Sequence, residues 1–153
     1  ALTCLTDLYD TMRDILGQPK IDNGGEDSFS LLPAFRGKSK MTRSTLISHS
    51  ISGQFSIREG DWKLCLSAGS GGWSAPRENE AKNKGLPPIQ LFNLKQDKAE
   101  RNNLQAKNKT KVQELIGLLD TEVKNGRSTE GKKVPNDREV TYLPKGYNSS
   151  NSK

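Results

Sequence analysis

The sequence predicts an α+β fold: a small antiparallel sheet of about four strands packed by a long C-terminal helix. Three observations carry this reading. Between Phe55 and Leu66, apolar and polar residues alternate on either side of Glu59-Gly60-Asp61, with Phe55 and Ile57 before the turn and Trp62, Leu64 and Leu66 after it. That pattern is a half-buried β-hairpin. Ile89 to Leu94 returns as a further strand and ends in a polar elbow that closes at Leu104. Val112, Leu115, Ile116, Leu119 and Val123 then recur at helical spacing. Strands with helices against one face make an α+β layer.

The elements follow in order. Leu5, Leu8, Tyr9, Met12, Ile15 and Leu16 form one apolar stripe of a first helix, which Gly17 ends and Pro19 prevents from resuming. Residues 18–40 read as an ordered loop that wraps something, anchored by Phe29-Ser30-Leu31-Leu32 and Phe35. Arg43 to Ser50 is the first expected strand, followed by the hairpin, where Gly60 supplies the positive φ of a short turn. Gly69 to Pro88 is a long excursion, and connections of that length inside a compact domain are commonly functional or mobile. The last helix opens on the capping box Thr110-Lys111-Val112-Gln113 and stops at Asn125-Gly126. Beyond it the chain is polar, with Val140, Tyr142 and Leu143 as an apolar cluster and a disordered end expected from Asn148. The resulting organisation is 1–40 as helix and wrapping loop, 41–126 as sheet plus helix, and 127–153 as a polar tail.

Composition narrows the function classes. Hydrophobic residues make up 31% of the 153, and about 40% with glycine, below the ~45–50% of an ordinary globular domain. A modest core is expected, completed by loops or by a partner surface. No apolar run approaches the ~20 residues that span a bilayer, and no signal peptide opens the chain. The start at Ala1-Leu2-Thr3, just before a helix, reads as that of a fragment. The net charge of +6 comes from scattered Lys and Arg without interleaved aromatics, so a nucleic-acid platform is not expected. Cys4 and Cys65 lack framework spacing and read as two buried free thiols.

The motifs and their order resemble the C-terminal subdomain of the formylglycine-dependent sulfatases, of the arylsulfatase-like alkaline-phosphatase superfamily. The hairpin Phe55-Ser56-Ile57-Arg58-Glu59-Gly60-Asp61-Trp62-Lys63-Leu64 is similar to the family's strand pair, and Leu91-Phe92-Asn93-Leu94 through Glu100, Asn103 and Leu104 to its elbow. Thr6-Asp7-Leu8-Tyr9-Asp10-Thr11-Met12, Ser30-Leu31-Leu32-Pro33 and Gly126-Arg127-Ser128-Thr129 match further family segments in the family's order. Asp10 and Lys98 depart from it, each standing where the family has Pro, as does Phe92-Asn93 in place of Tyr-Asp. The resemblance implies a small sheet carrying a long helix, docked beside a large catalytic domain.

Sulfate-ester hydrolysis in that family requires a formylglycine made from Cys or Ser in a Cys/Ser-x-Pro-x-Arg context, and a divalent cation (calcium) on oxygen ligands. Cys4 precedes Leu5-Thr6-Asp7 and Cys65 precedes Leu66-Ser67-Ala68, so neither fits. The resemblance therefore places the catalytic residues and the cation upstream of this chain. Asp22-Asn23-Gly24 is read as a plain turn, not a metal ligand, because Gly17 to Ile21 before it is not a buried apolar strand.

The expected substrate-binding residues are His49, Gly71, Gly72, Trp73 and Ser74. Glycines in Gly69-Ser70-Gly71-Gly72-Trp73-Ser74 let the backbone approach a ligand and aim N–H groups at an anion, while Trp73 offers a plate for a sugar ring. The resemblance implies that this loop borders the catalytic pocket. His49, the sole histidine, ends a strand, and either donates to an anion or bonds to the neighbouring strand. Arg77 and Lys82 supplement the loop or remain solvated. Arg58, Trp62 and Lys63 are read as structural, and the sequons at Asn108 and Asn148 as chance patterns.

The leading expectation is a C-terminal fragment of an arylsulfatase-like sulfuric ester hydrolase, not catalytic alone. It completes the substrate cleft for a sulfated glycan or aryl sulfate and stabilises a sulfatase N-terminal catalytic domain. No nucleic-acid or membrane partner is expected, and the parent is expected in the bacterial periplasm or secreted. The alternatives are a stand-alone module for anionic glycans, or the same part of a phosphodiesterase or phosphonate hydrolase.

Overall fold

A computed structural model describes residues 2–38, 43–145 and 147. The expected disorder from Asn148, and the sequon there, lie outside the described residues. Helices α1 (Asp7–Ile15) and α2 (Leu32–Phe35) are followed by strands β1 (Thr45–His49), β2 (Phe55–Glu59) and β3 (Trp62–Cys65). Helix α3 (Glu78–Asn83), strand β4 (Gln90–Asn93) and helix α4 (Lys109–Asn125) complete the order. Two compact units result: one from Ala1–Leu46 with Asp120–Val140, the other from Ile47–Leu119 with Thr141–Lys153.

The four strands form one antiparallel sheet in the order β1-β2-β3-β4. Gly60, at φ 54°, makes the expected hairpin turn between β2 and β3. In register, Ile57 opposes Leu64 and Leu64 opposes Leu91, so the three form one row across the sheet. All three are fully buried. Glu59 shares their face by strand alternation and takes an ion pair from Lys111 of α4 at 2.7 Å. The apolar stripe of α4 is therefore turned to this face, and Val112, Leu115, Ile116 and Leu119 are buried as expected. Arg58, Lys63 and Phe92 form a row on the opposite face. There Phe92 is buried, and Lys63 donates to both Glu100 oxygens, at 2.8 and 3.0 Å.

The outer edge of β4 is closed by one side chain. Asn103 accepts from the Leu91 N–H at 3.0 Å and donates to the Ile89 carbonyl at 3.0 Å. Leu104 N–H then donates to the Leu91 carbonyl at 2.8 Å. This elbow supplies the pairing that a fifth strand would otherwise provide.

In the other unit, α1 is inside out. Its buried residues are Asp7, Asp10 and Thr11. Leu8, Tyr9, Met12 and Ile15, the apolar stripe read from the sequence, are 44%, 49%, 56% and 54% exposed, and Leu5 and Leu16 flank them in solvent. Polar anchors hold this orientation. Asp7, fully buried, pairs with the guanidinium of Arg43 and accepts the N–H groups of Cys4 at 2.9 Å and Phe29 at 3.1 Å. Ser28 Oγ accepts the Asp10 N–H at 2.8 Å, and Thr11 Oγ1 accepts the Leu31 N–H at 2.9 Å. The segment read as wrapping something thus closes on the polar side of α1.

Other boundaries differ modestly. The first strand spans Thr45–His49 rather than Arg43–Ser50, because Arg43 turns inward to Asp7. Helix α4 begins at Lys109, which puts Thr110 within the first turn instead of at the cap. Gly126, at φ 63°, provides the expected stop. Arg127 beyond it is buried against the carbonyls of Thr129 at 3.0 Å and Lys132 at 3.0 Å. Helices α2 and α3 are four and six residues long and have no stripe in sequence.

Candidate functional site

The Gly69–Ser74 loop leaves β3 through a buried run, Leu66-Ser67-Ala68-Gly69, and its path is pinned from several directions. Glu78, in the first turn of α3, accepts the N–H groups of Ala68 at 3.2 Å and Gly69 at 2.9 Å. Gln90 Nε2, on β4, donates to the carbonyls of Ser67 and Gly69, at 3.0 and 2.9 Å. Ser70 N–H donates to the Pro76 carbonyl at 2.9 Å, and Ser70 Oγ to the Ser74 carbonyl at 2.6 Å. A Cβ on Gly69 would lie 2.7 Å from the Pro76 oxygen, so only glycine fits this approach.

The loop also meets the β1–β2 turn. Ser52 N–H donates to the Gly71 carbonyl at 3.4 Å. Gly71 is buried at φ 71°, where a Cβ would meet Ser50 at 2.8 Å. The structure therefore brings Gly71 and Gly72 against Ser50, Ile51 and Ser52, the residues directly after His49. Trp73 projects from the braced loop 79% exposed, Ile51 is 69% exposed, and Ser74 is exposed. His49 is exposed at the end of β1 and sets its ring edge-on to Phe55 at 4.0 Å between centroids. Phe55 in turn meets Tyr142 at 6.1 Å.

Electrostatics separate binding from chemistry. Glu78 occupies the N–H groups of Ala68 and Gly69, and the Ser70 and Gly72 N–H groups are taken by the Pro76 carbonyl and Ser70 Oγ, which leaves the exposed Trp73 and Ile51 side chains offered outward. Arg77 is exposed, its N–H donating to Glu80 at 2.9 Å, and Lys82 lies 3.9 Å from Glu78. Both cysteines are free, and each is part-buried rather than buried as the sequence suggested. Burial pushes the Cys65 thiol up to about 11, against a small opposing pull from Lys63. It stays protonated at neutral pH, and a thiol in that form is a poor nucleophile. Among the described residues no three of His, Cys, Asp and Glu converge as metal ligands. Asp22 and Asn23 are exposed on a loop. No helix among the described residues is long and apolar enough to cross a membrane.

Glu78 and Gln90 brace the site and escaped sequence reading, since a Glu early in a short polar helix and a Gln inside a strand carry no periodic signal. Exposure of Trp73 could not be read either, because a lone tryptophan in a Gly-rich loop fits a buried and an open position equally.

No family model and no curated protein matches the chain. Solved structures do: the chain has the fold of part of several sulfatase structures. One is BT33336S-sulf, from work on glycosaminoglycan metabolism by Bacteroides thetaiotaomicron, 25% identical over 75% of this chain with a TM-score of 0.59. A second is Ps i-CgsB, an i-carrageenan sulfatase, 18% identical over 83% of this chain with a TM-score of 0.53, also solved with k-i-k-neocarrahexaose. A third is BT4656 in complex with its substrate D-glucosamine-2-N,6-O-disulfate, 21% identical over 76% of this chain with a TM-score of 0.53. The chain spans about a quarter of each, 24%, 25% and 23% of their lengths.

Proposed function

We propose that this chain is the C-terminal portion of an arylsulfatase-like sulfuric ester hydrolase, exported to the periplasm or beyond, whose catalytic residues, formylglycine and calcium lie in a separate large domain. The observation that carries the proposal is the inverted α1. A helix that buries Asp7, Asp10 and Thr11 and exposes Leu8, Tyr9, Met12 and Ile15 has its apolar face reserved for something else. Each of these side chains is worth ~1.5–3 kcal/mol when fully buried, so covering four half-exposed ones stabilises a complex by several kcal/mol. The large catalytic domain is the proposed cover, supported by the quarter-length match to sulfatases.

The second part of the proposal is that Gly71, Gly72, Trp73 and Ser74, with His49 near the adjoining turn, line the outer part of the substrate cleft. Bracing of the loop backbone by Glu78 and Gln90 supports this, because a loop already held in place has less to lose in ordering when the exposed Trp73 ring stacks on a sugar. The substrate is a sulfated glycan, with aryl sulfates as minimal analogues.

Split complementation tests the proposal. The chain and the remainder of its polypeptide are produced as two pieces, and hydrolysis of aryl sulfate, sulfated oligosaccharide and an aryl phosphodiester is measured. The wild-type chain should restore sulfate-ester turnover. A Leu8→Glu/Met12→Glu chain should not, although it melts at the same temperature as wild type. Trp73→Ala should raise KM about tenfold for the oligosaccharide and leave the aryl sulfate unchanged. Full turnover by the remainder alone would remove the docking role, and preference for the phosphodiester would replace the sulfatase reading.

A further inference from the structure

The elbow between β4 and α4 holds a second feature suited to a ligand. The entire formal charge of +6 belongs to the unit Ile47–Leu119 with Thr141–Lys153, since acidic and basic residues balance in the other unit. Within it the elbow contributes Lys95, Lys98, Arg101, Lys107 and Lys109 against Asp97 and Glu100, and Glu100 is already paired with Lys63. An open hollow of about 520 Å³ sits here, in the size range of small-ligand sites.

Its framework is fixed. Asp97 Oδ2 accepts the N–H groups of Arg101 at 2.8 Å and Asn102 at 2.7 Å. Asn93 Oδ1 accepts those of Lys95 at 3.2 Å and Gln96 at 3.3 Å, and Asn103 is committed to the β4 edge. Around that framework stand the exposed side chains of Gln96, Arg101, Asn102 and Lys107. Among the described residues none of these four side-chain heads makes a hydrogen bond or ion pair. The hollow thus offers a guanidinium, an ammonium and two amides, all uncommitted donors, over a braced floor.

We propose that this hollow is an accessory site for a sulfate-bearing sugar residue of a glycan chain, built from residues that the Gly69–Ser74 loop does not use. The inference rests on the sulfated-glycan reading above. Arginine and lysine match the charge and oxygen geometry of a sulfate ester, and the two amides suit ring hydroxyls. Nucleic acid fits less well: Phe92 is buried, so no aromatic face is available for base stacking, and two cations are few for a polyphosphate backbone. The role is to hold a long substrate, not to act on it.

The test is an amide-resonance titration of the 153-residue chain with D-glucosamine-2-N,6-O-disulfate. Unsulfated glucosamine, inorganic sulfate and a short oligothymidine serve as the other arms. The disulfated sugar should bind at millimolar concentration, shift Gln96, Arg101, Asn102 and Lys107, and weaken as salt rises. Arg101→Gln/Lys107→Gln should weaken it about five- to tenfold at unchanged melting temperature. Equal affinity for inorganic sulfate would reveal an adventitious ion only. Equal affinity for unsulfated glucosamine, or tighter binding of the oligothymidine through the same residues, would also overturn the assignment. Complementation reads α1 docking and turnover while this titration reads the elbow directly, so one can fail while the other succeeds.

Discussion

Asp7→Ala is expected to be among the most damaging single substitutions in the unit that carries α1. Asp7 is fully buried, and the Arg43 side chain beside it is 3% exposed. Removing the carboxylate strands the guanidinium, whose Nε already lacks a partner among the described residues, and frees the N–H groups of Cys4 and Phe29. Arg43 keeps its bond to the Asp27 carbonyl at 2.8 Å and its position over the Phe29 ring at 4.7 Å, neither of which neutralises it. Leaving one member of a buried pair uncompensated costs about 3–5 kcal/mol, a large share of the ~5–15 kcal/mol that stabilises a typical domain. Urea unfolding followed by far-UV circular dichroism reads the loss as a lower midpoint at unchanged slope.

Asp7→Ala/Arg43→Met should recover much of that loss, because the charge and its partner leave together and a stem of similar volume fills the space. The coupling from the double-mutant cycle should exceed ~1.5 kcal/mol. A loss below ~1 kcal/mol for Asp7→Ala, or additive single mutants, would refute the claim that this pair sets the orientation of α1. The same substitution should also lower complementation, since the apolar stripe is presented outward only while Asp7 faces in.

Two further outcomes follow from the geometry. Asn103→Ala removes the bonds that close the β4 edge and should cost about 1–3 kcal/mol, with faster hydrogen exchange at the Leu91 amide as the local readout. Stability should depend on pH with opposite signs. Burial, with a contribution from Asp27, raises Glu122 above its usual 4.5, outweighing the Thr45 hydroxyl and Arg43, so the folded state takes up a proton first and stability rises as pH falls toward 4.5. Burial also pushes Asp7 up, but the Arg43 bond, the Cys4 and Phe29 N–H groups and the Arg43 charge outweigh it and hold Asp7 below 3.8. Its contribution is complete above 3.8 and is lost on further acidification, so these two groups oppose one another as pH falls. Chemical denaturation from pH 3 to 8 checks this, and a monotonic decline from neutral pH would contradict it.

What the sequence disclosed depended on whether the relevant force leaves a period. The β2–β3 hairpin and the buried face of α4 were legible because Phe55 and Ile57, then Trp62, Leu64 and Leu66, and Val112, Leu115 and Leu119 recur at the spacing of their elements. The stripe of α1 was equally legible, yet periodicity says which face is apolar and not which face is inward. Short α2 and α3 carry no period, and polar braces such as Glu78, Gln90, Asn103 and the Asp7–Arg43 pair are chosen by tertiary position. The proposed substrate-binding residues were picked by residue type, glycine and tryptophan together, while the side chains that hold their loop left no signal in the sequence.

A docking face and a ligand surface place different demands on neighbouring residues, and the chain meets each demand separately. Docking tolerates a helix whose apolar side is open, provided its polar side is locked. Asp7, Asp10 and Thr11 do that locking through the N–H groups or side chains of Phe29, Arg43, Ser28 and Leu31. The proposed ligand plate needs the reverse, a held backbone leading to one exposed ring, and Glu78 and Gln90 hold the chain at Ala68 and Gly69 ahead of Trp73. In both places buried polar bonds fix a geometry whose apolar product faces outward. That distribution is what the proposed role asks for: a piece completed by a partner domain that presents a surface to its substrate.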